Sequence, residues 1–263
     1  MKTTNQFFTA ITAIFLLFSS FSFSQEEKRP MYISVTTMYW NSDSDMSMDD
    51  WKAIEKEYMD KVTDKNEHIL WAGYFTHLLT SNSNEVVYAQ TYPSWEAIEK
   101  AAARNTELEN AAWPDKTARE AFLKKMNSAY AGFHSDEIYA TLPDAKMSSA
   151  ELPEDAILYV RKNKQAFPED GTKEELKGFM DRMLTDVINK NDYIKAYYPN
   201  RHAWGSDKRD FVQAFYLDSL GDLDKMFKKN QELMKAAFTK EESKAMGKYF
   251  KSHGDYIYGV VKL

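Results

Sequence analysis

The feature that most constrains the fold of this chain is an internal repeat. Segment 62–112 aligns without a gap on segment 187–237, which begins 125 positions later, and fifteen of the aligned residues are identical. Unrelated segments of this length would share roughly three residues by composition, and a repeat of this period is evidence about fold. A second match, at an offset of 119, aligns segment 130–139 with segment 249–258. The sequence therefore predicts two similar halves that differ by a short insertion or deletion.

The first half predicts the element order β-α-β-β-α-(α)-β. Runs rich in β-branched and aromatic residues predict four strands, at 31–39, 69–79, 85–92 and 134–142. Capping residues followed by apolar residues at helical spacing predict helices that begin near Asp49, near Ser94 and after Pro114.

The second half repeats this order. Its predicted strands cover 157–163, 193–204, 210–217 and 253–262, and its predicted helices cover 172–190, 219–238 and 239–250. Between the halves, segment 141–156 contains two Pro, two Ser and no periodicity, which is typical of a linker. The predicted domains are a signal peptide at 1–24, a ferredoxin-like repeat at 25–142, a linker at 143–155 and a second ferredoxin-like repeat at 156–263.

This order predicts how the two halves pack. The order β-α-β-β-α-β is the ferredoxin-like arrangement, in which helices cover one face of an antiparallel sheet. The other face must also be buried, and two halves can bury it by packing sheet against sheet. The predicted fold class is therefore α+β, with two ferredoxin-like repeats, each with an extra helix, forming one intramolecular α/β barrel. We expect a monomer that contains an intramolecular pseudo-dimer.

The first 24 residues have the pattern of a secretory signal peptide. Lys2 supplies a positive charge, segment 7–18 is mostly apolar, and Ser22 and Ser24 are small residues at the positions that signal peptidase reads. The apolar run is shorter than the about 20 residues that a transmembrane helix needs. The pattern predicts a periplasmic or secreted protein. A secreted protein without Cys must be stabilised by its core alone, which fits a bacterial periplasm better than a disulfide-rich extracellular scaffold.

The charge of the mature chain argues against two classes of partner. Removing residues 1–24 leaves 33 basic residues (34 minus Lys2) against 40 acidic ones, a formal net charge of −7. Nucleic-acid-binding proteins carry a basic stripe, and anionic membranes attract basic segments. We therefore expect no nucleic acid and no membrane after signal cleavage, and a small molecule is the candidate partner.

The turn between the third strand and the second helix carries a family resemblance. From Tyr92 to Ile98 it reads YPSWEAI, which resembles the W-x-x-x-E-A type turns of the dimeric α/β-barrel superfamily. That superfamily includes antibiotic-biosynthesis-type monooxygenases and NIPSNAP- and EthD-like proteins. The second copy, from Leu217 to Leu223, keeps only the Ser and the apolar positions. The resemblance implies a ferredoxin-like barrel, and a shared fold does not by itself transfer an activity.

Two histidines that the repeat pairs, His77 and His202, are the candidate catalytic residues. Alternate side chains share one face of a strand, and each of these two histidines lies on a mainly apolar, aromatic face. If that face points into the barrel, the two rings approach one another around a pseudo-twofold axis. Histidine is the usual proton carrier near neutral pH. The alternative is that each ring caps the end of a strand and hydrogen-bonds to a nearby loop.

The same two strand faces supply the candidate ligand-binding residues. Aromatic rings can stack on a flat ligand, although aromatic strands usually pack into a core. The predicted ligand-binding residues are Trp71, Phe75, Tyr198, Asn200 and Trp204.

Two further sequence patterns, the His-x-Asp pairs and an acidic loop, contain residue types that bind metal ions. His134 with Asp136, and His253 with Asp255, lie two residues apart on one strand face, so that each pair supplies two ligands to a metal or lets Asp orient His. The acidic loop after Asn41 lacks the Gly and Glu that an EF-hand requires. Some relatives in the superfamily bind haem through a histidine, and no local pattern marks such a residue. The sequence predicts no metal and no cofactor.

Three functions remain open from the sequence. The first is a protein that binds a small apolar or aromatic ligand in a sheet-lined cavity. The second is an enzyme like the cofactor-independent monooxygenases, in which His77 or His202 is the base and the protein supplies a dry pocket. The third is a structural or interaction protein whose barrel is filled by side chains. The interior of the barrel should discriminate among them.

Overall fold

The structure is a computed structural model that describes residues 29–263, so the predicted signal peptide lies outside the described residues. It contains eight strands and six α-helices. The strands are β1 (Tyr32–Tyr39), β2 (Trp71–Leu79), β3 (Glu85–Tyr92), β4 (Ser135–Thr141), β5 (Ile157–Gln165), β6 (Ala196–Trp204), β7 (Asp210–Leu217) and β8 (Phe250–Val260). The helices are α1 (Met48–Lys61), α2 (Trp95–Ala112), α3 (Lys116–Asn127), α4 (Lys173–Arg182), α5 (Asp222–Ala237) and α6 (Lys240–Gly247). A π-helical segment, Met183–Ile188, continues α4.

Local sequence determines where several helices begin. Ser47, Ser94 and Thr172 each accept a hydrogen bond from a backbone N–H in the first turn of α1, α2 and α4. Thr239 forms a capping box with Glu242 at the start of α6. Such caps satisfy N–H groups that have no partner within the helix, and each stabilises the helix by about 1 kcal/mol.

The strands form a closed antiparallel sheet in the order β1-β3-β2-β8-β5-β7-β6-β4. Strand β4 pairs with β1 and so completes the ring. Because neighbouring strands alternate in direction, β1, β2, β5 and β6 all end at the same end of the barrel. Strands β3, β4, β7 and β8 begin at that end. This end of the barrel carries the candidate site described below.

The hydrogen-bonding register is the same in the two halves. Tyr39 pairs with Glu85 in the β1–β3 ladder, and Lys164 pairs with Asp210 in the β5–β7 ladder, 125 residues later in both strands. Each of these ladders keeps its partner positions at that constant offset. Residues that the sequence repeat aligns therefore occupy equivalent places in the barrel.

The two joints between the halves are also equivalent. His77 of β2 lies opposite Tyr258 of β8, and His202 of β6 lies opposite Tyr139 of β4. Both joints contain a register shift next to the histidine. Such shifts bend a strand and re-aim the side chains beside it.

The inner face of the barrel carries an apolar cluster to which both halves contribute. Its buried members are Phe75, Val87, Ala89 and Leu158. Partly buried residues of β1, β5, β7 and β8 pack against them. Helices cover the outer faces: α1 packs on the first half through Trp51, and the π-helical segment and α5 pack on the second half. Within residues 29–263, no helix has the length and apolar character that crossing a membrane requires.

Near the C terminus the structure corrects two predicted boundaries. Helix α6 ends at Gly247 rather than at 250, and strand β8 begins at Phe250 rather than at 253. The strand is longer because Phe250 pairs with Gln165 across the β5–β8 ladder, a non-local contact that outweighs local helical spacing. Helix α3 has 12 residues and α6 has 8, which accounts for four of the six residues by which the offset changes from 125 to 119.

Helix α1 carries a buried carboxyl group on the side that packs against the outer face of the first-half sheet. Glu55 is 1% exposed, and its two oxygens accept hydrogen bonds from the hydroxyls of Tyr74 (2.6 Å) and Tyr130 (2.7 Å). Burial raises the pKa of Glu55 above its ordinary value, although the two hydrogen bonds oppose this shift. Both oxygens are used within the core, so this group is structural.

The raised pKa predicts how stability depends on pH. A carboxyl whose folded pKa lies above its unfolded value stabilises the fold at pH values below the unfolded pKa, and this contribution is lost as the pH rises through the folded pKa. Glu55→Gln removes the ionisation. We expect the free energy of unfolding of the wild type, relative to Glu55→Gln, to fall between pH 4 and pH 7 in urea titrations. The control is Glu57→Gln, on the exposed side of α1, and parallel profiles for wild type and Glu55→Gln would contradict the argument.

Candidate functional site

One end of the barrel has a polar inner face, which we call the polar end. Side chains along each strand point alternately inward and outward, and the buried apolar cluster shows which set points inward. The polar end consists of His77, Glu85, Glu137, Tyr139, Lys162, Lys164, His202, Asp210, Tyr256 and Tyr258. Both halves contribute to it, since β1, β2, β5 and β6 all end there.

In the second half, the polar end contains a network of ion pairs around Asp210. The Asp210 carboxylate is fully buried, the Lys162 ammonium lies 3.0 Å from its Oδ2, and the Lys164 ammonium contacts its Oδ1. Asp210 Oδ2 lacks a well-directed hydrogen bond, but charges attract at this distance whatever the angle. The Lys164 ammonium also lies 3.2 Å from Oδ2 of Asp207, so the two lysines of this network face two aspartates.

Lys162 reaches across the barrel to a second carboxylate. Its Nζ lies 2.7 Å from Oε2 of Glu137, which also accepts a hydrogen bond of 2.6 Å from the Tyr139 hydroxyl. Ser206 donates to the other oxygen of Glu137 at 3.1 Å. Burial lowers the Lys162 pKa, but the carboxylates of Glu137 and Asp210 outweigh it and hold that pKa above its usual value. Each charged group of this network, namely Lys162, Lys164, Asp210 and Glu137, therefore has an opposite charge beside it.

In the first half, the equivalent carboxyl group has no such partners. Glu85 occupies the position equivalent to Asp210 and is 7% exposed. Its Oε1 has no hydrogen-bond partner among residues 29–263. The positions equivalent to Lys162 and Lys164 hold Thr37 and Tyr39. Because a buried carboxylate oxygen without a partner is costly, Glu85 is less well satisfied than Asp210, which has two lysines beside it.

Tyr258 lies beside Glu85 on the inner face. Burial raises the pKa of the Tyr258 phenol, and the charge of Glu85 and a hydrogen bond to it raise that pKa further. The phenol therefore stays protonated and can donate. Glu85 Oε1 still has no hydrogen-bond partner within the described chain.

A hydrogen-bond chain links the ring of His77 to the loop after β2. The His77 Nδ1 lies 2.9 Å from Thr80 Oγ1, and that hydroxyl lies 3.0 Å from the carbonyl oxygen of Asn82. When the hydroxyl donates to Asn82, its oxygen accepts from Nδ1–H and the ring lone pair is on Nε2. Nε2 makes no hydrogen bond with residues 29–263. In this tautomer Nε2 has the lone pair with which a general base accepts a proton.

The structure places His202 in the equivalent position, on the opposite wall of the barrel. It is partly buried and lies opposite Tyr139. Strands β2 and β6 are four places apart in the ring of eight strands. Within the described chain, no Thr–Asn relay like that of His77 orients the His202 ring. The two histidines share one end of the barrel but have different surroundings.

The predicted ligand-binding residues are spread along the barrel. Phe75 is buried in the inner cluster at 3% exposure, and Asn200 is buried with its amide donating to the Tyr198 carbonyl at 3.0 Å. Tyr198 is partly buried. Trp71 lies at the start of β2 and Trp204 at the end of β6, so these two exposed rings are at opposite ends. The structure therefore does not bring the five side chains together.

The two His-x-Asp pairs lie outside the barrel. His134 Nε2 is 3.1 Å from Asp136 Oδ2, and His253 Nδ1 is 2.9 Å from Asp255 Oδ2, with all four side chains well exposed. Asp255 also accepts from Arg161 at 3.0 Å. In the described part of the chain, no group of three or more His, Asp or Glu residues is arranged to hold a metal ion.

Two depressions on the surface lie in the second half away from the polar end, and the linker lines one of them. Their volumes are about 430 and 490 Å³, and charged or polar residues line them, including Lys146, Asp192, Lys195 and Asp218. Lys146 donates to the Asn191 carbonyl at 3.0 Å and so attaches the linker to the second half. These depressions contain none of the candidate residues.

Sequence reasoning did not select Glu85, Asp210, Lys162 or Lys164 as site residues. The available signal was the conservative pair Glu85 and Asp210 within the repeat, each at the start of an otherwise apolar strand. The alternating lysines of β5 were a second signal, because both point to the same side of the strand. Their significance depends on contacts across the barrel, which the sequence does not specify.

No protein-family model and no curated protein matches this sequence. Solved structures match it along most of its length. A candidate monooxygenase of Fusobacterium nucleatum aligns with 89% of this chain and 93% of its own, at 11% identity and a TM-score of 0.56. A candidate monooxygenase of Lactobacillus acidophilus aligns with 89% of this chain and 100% of its own, at 9% identity and the same score. The chain shares the α+β, ferredoxin-like fold of these structures.

A further structure with the dimeric α/β-barrel fold is a mutant chlorite dismutase of Candidatus Nitrospira defluvii. It aligns with 89% of this chain and 93% of its own, at 11% identity and a TM-score of 0.54. Identities this low relate the folds alone, and one fold supports many chemistries. The α+β class and the ferredoxin-like arrangement predicted from the sequence are thereby confirmed. The activity must be argued from the residues of the polar end.

Proposed function

We propose that this protein binds a small, largely apolar molecule inside the barrel, with the polar group of that molecule at Glu85. One observation carries the proposal. Glu85 is buried and has a carboxylate oxygen with no partner in the described chain, whereas Asp210, at the equivalent position, has two lysines. A buried polar group without a partner requires an explanation, and a bound ligand supplies one.

The burial of the inner face supports this proposal. Val35, Val160 and Ala214 lie in the middle of strands, face the barrel axis and remain partly exposed. Side chains in a filled core are normally fully enclosed. The apolar cluster around Phe75 would contact the body of the ligand, while Glu85, Tyr258 and His77 would contact its polar group. Ligand sites commonly combine an apolar lining with a few polar groups.

The test compares the wild type with Glu85→Gln. Both proteins are titrated with small aromatic and aliphatic alcohols, phenols and amines, and native mass spectrometry and calorimetry record binding. We expect at least one of these classes to bind one molecule per chain, and Glu85→Gln to weaken this binding by about tenfold or more. The matched control is Glu120→Gln, on an exposed position of α3. If no compound binds, the structural alternative with a filled barrel is favoured.

A second candidate function is an enzyme of the cofactor-independent monooxygenase kind, and the state of His77 favours it. The Thr80–Asn82 relay leaves the lone pair of Nε2 available to take a proton from a hydroxyl group of the substrate. The solved structures with a similar fold include candidate monooxygenases. In this reading, Tyr258 would orient the substrate and the apolar inner face would exclude water.

This second candidate makes an asymmetric prediction for the paired histidines. Oxygen uptake is measured with quinol-type substrates for the wild type, His77→Ala and His202→Ala. Because a general base contributes about 10²–10⁴-fold, His77→Ala should lose at least about 10²-fold in kcat, while His202→Ala should retain most of the activity. Equal losses in both variants would contradict the assignment of His77 as the base. Failure of the wild type to consume oxygen would contradict the enzymatic function.

We also propose that the barrel arose by tandem duplication and acts as a monomer in the periplasm or outside the cell. The equal registers of the two halves support duplication into repeats at 25–142 and 156–263, joined by a linker at 143–155. The closed sheet supports a monomer, because it has no free edge. The signal-like segment at 1–24 supports secretion. Light scattering and N-terminal sequencing would test these proposals, and an obligate dimer or an uncleaved N terminus would contradict them.

A further inference from the structure

We infer that the ligand of the polar end is an organic amine, bound as its ammonium ion against Glu85 with its apolar body on the inner face. This inference rests on the proposed function and specifies the chemical class of the ligand. The second half of the barrel provides the reason, because there the equivalent carboxylate already binds two ammonium groups, those of Lys162 and Lys164. The first half keeps one carboxylate, Glu85, and one aromatic ring, Tyr258, at the equivalent positions, with Tyr256 in place of Glu137 and no lysine.

The equivalence between the halves extends beyond the carboxylate. In the second half, the Lys162 ammonium lies between the Asp210 carboxylate and the ring of Tyr139, whose centroid is 5.7 Å away. Tyr258 occupies the position equivalent to Tyr139, since each lies opposite a paired histidine in its joint. An ammonium ion at the first-half position would therefore have a carboxylate and an aromatic ring around it. Carboxylates and aromatic faces are the groups that bind organic cations.

The side chains that replace the lysines leave the carboxylate available. Thr37 and Tyr39 occupy the positions of Lys162 and Lys164, and neither carries a positive charge. Thr37 is a shorter side chain than lysine, and it is partly exposed. A neutral ligand could donate a hydrogen bond to Glu85 but would leave its negative charge without compensation. Primary alkyl amines are protonated at neutral pH, as lysine is, and therefore compensate it.

The test uses three ligands that have similar bodies and differ in charge. They are 2-phenylethylamine, 2-phenylethanol and 3-phenylpropanoate, titrated calorimetrically into the full mature protein. We expect 2-phenylethylamine to bind at least about tenfold more tightly than 2-phenylethanol, and 3-phenylpropanoate not to bind. Glu85→Gln should weaken amine binding at least about tenfold and should remove the preference over the alcohol. Equal binding of amine and alcohol to the wild type would overturn the inference while leaving the proposed function intact.

A second variant places an ammonium group in the site covalently. Thr37→Lys reproduces the β5 position of Lys162, from which a lysine reaches the neighbouring carboxylate. We expect it to abolish binding of 2-phenylethylamine and to raise the melting temperature by about 2–4 °C. Thr37→Met is the control of similar length without the charge, and it should not raise the melting temperature.

The two variants also separate the possible failures. If Thr37→Lys and Thr37→Met have the same melting temperature and Thr37→Lys still binds the amine, Glu85 does not bind a cation and the inference is wrong. If the wild type binds none of the three ligands and none of the wider panel of alcohols, phenols and amines, both the inference and the proposed function are wrong. Circular dichroism of each variant shows that it is folded, so that a loss of binding reports on the site.

Discussion

Replacing Asp210 with Asn should lower the free energy of unfolding by about 3 kcal/mol, the lower end of the cost of breaking a buried ion pair. The Asp210 carboxylate is fully buried between the ammonium groups of Lys162 and Lys164. The neutral amide leaves both partly buried lysines with less compensation for their charges. The loss is at the lower end because Lys162 keeps Glu137 and Lys164 keeps Asp207.

The equivalent substitution in the first half is the control for this prediction. Glu85→Gln changes the same register position but removes a charge that no lysine compensates. We expect it to leave the free energy of unfolding unchanged or to raise it. Urea titrations of both variants at pH 7 measure the difference, with unchanged m values as the sign of a two-state transition. Equal losses in the two variants would show that the two carboxylates have the same role.

Replacing Trp51 with Ala should lower the free energy of unfolding by about 3–5 kcal/mol, the usual cost of removing a large buried aromatic side chain. Trp51 lies on the buried side of α1 and is 1% exposed, and its ring packs edge-on against Trp40 and Tyr74. Its indole N–H donates to the Tyr130 hydroxyl at 2.7 Å. The substitution therefore leaves a cavity and also removes a donor from the network that contains Glu55.

The control for Trp51 is a tryptophan at the surface of the same half. Trp95 is 48% exposed and packs edge-on against Tyr32, with ring centroids 5.3 Å apart. Trp95→Ala should cost about 1 kcal/mol, which is typical of a single aromatic pair. Guanidinium titrations followed by circular dichroism compare the two variants, since tryptophan fluorescence itself changes. A similar cost for both would contradict the central position of Trp51 in the first-half core.

The sequence predicts most of the element order because hydrophobic periodicity and capping are local. The cap at Ser94 and the strand of Glu85–Tyr92 are examples, and both appear in the structure where local pattern places them. The start of β8 at Phe250 was missed because it depends on pairing with Gln165, far away in the sequence. Local patterns carry little information about such contacts.

Identical residues in the repeat indicate packing more often than chemistry. Asn66 donates to the Ala101 carbonyl at 2.9 Å and to Asn105 at 2.7 Å, which ties the start of β2 to α2. Asn191 does the same in the second half, with Met226 and Asn230. These identities follow from one buried hydrogen-bond arrangement used twice. Identity between repeats therefore could not distinguish a structural asparagine from a functional histidine.

The candidate site was harder to predict because it lies in the differences between the halves. Lys162 and Thr37 align in the barrel but lie outside the matched segment that reveals the repeat. Because of this difference, the Glu85 carboxylate has no lysine beside it. This can be recognised only once the strand pairing shows which residues of the two halves are equivalent. Identity between the halves draws attention to the two histidines, whereas it gives no signal for the lysines because their counterparts differ.

Closing the barrel within one chain has a consequence for how such a protein can evolve. In a barrel assembled from two copies of the same chain, each substitution on the inner wall appears twice, so a residue that improves folding on one side alters the opposite side as well. A single-chain barrel lifts this constraint. The inner face of one half can accumulate substitutions that stabilise the fold, while the inner face of the other half can change to bind different ligands.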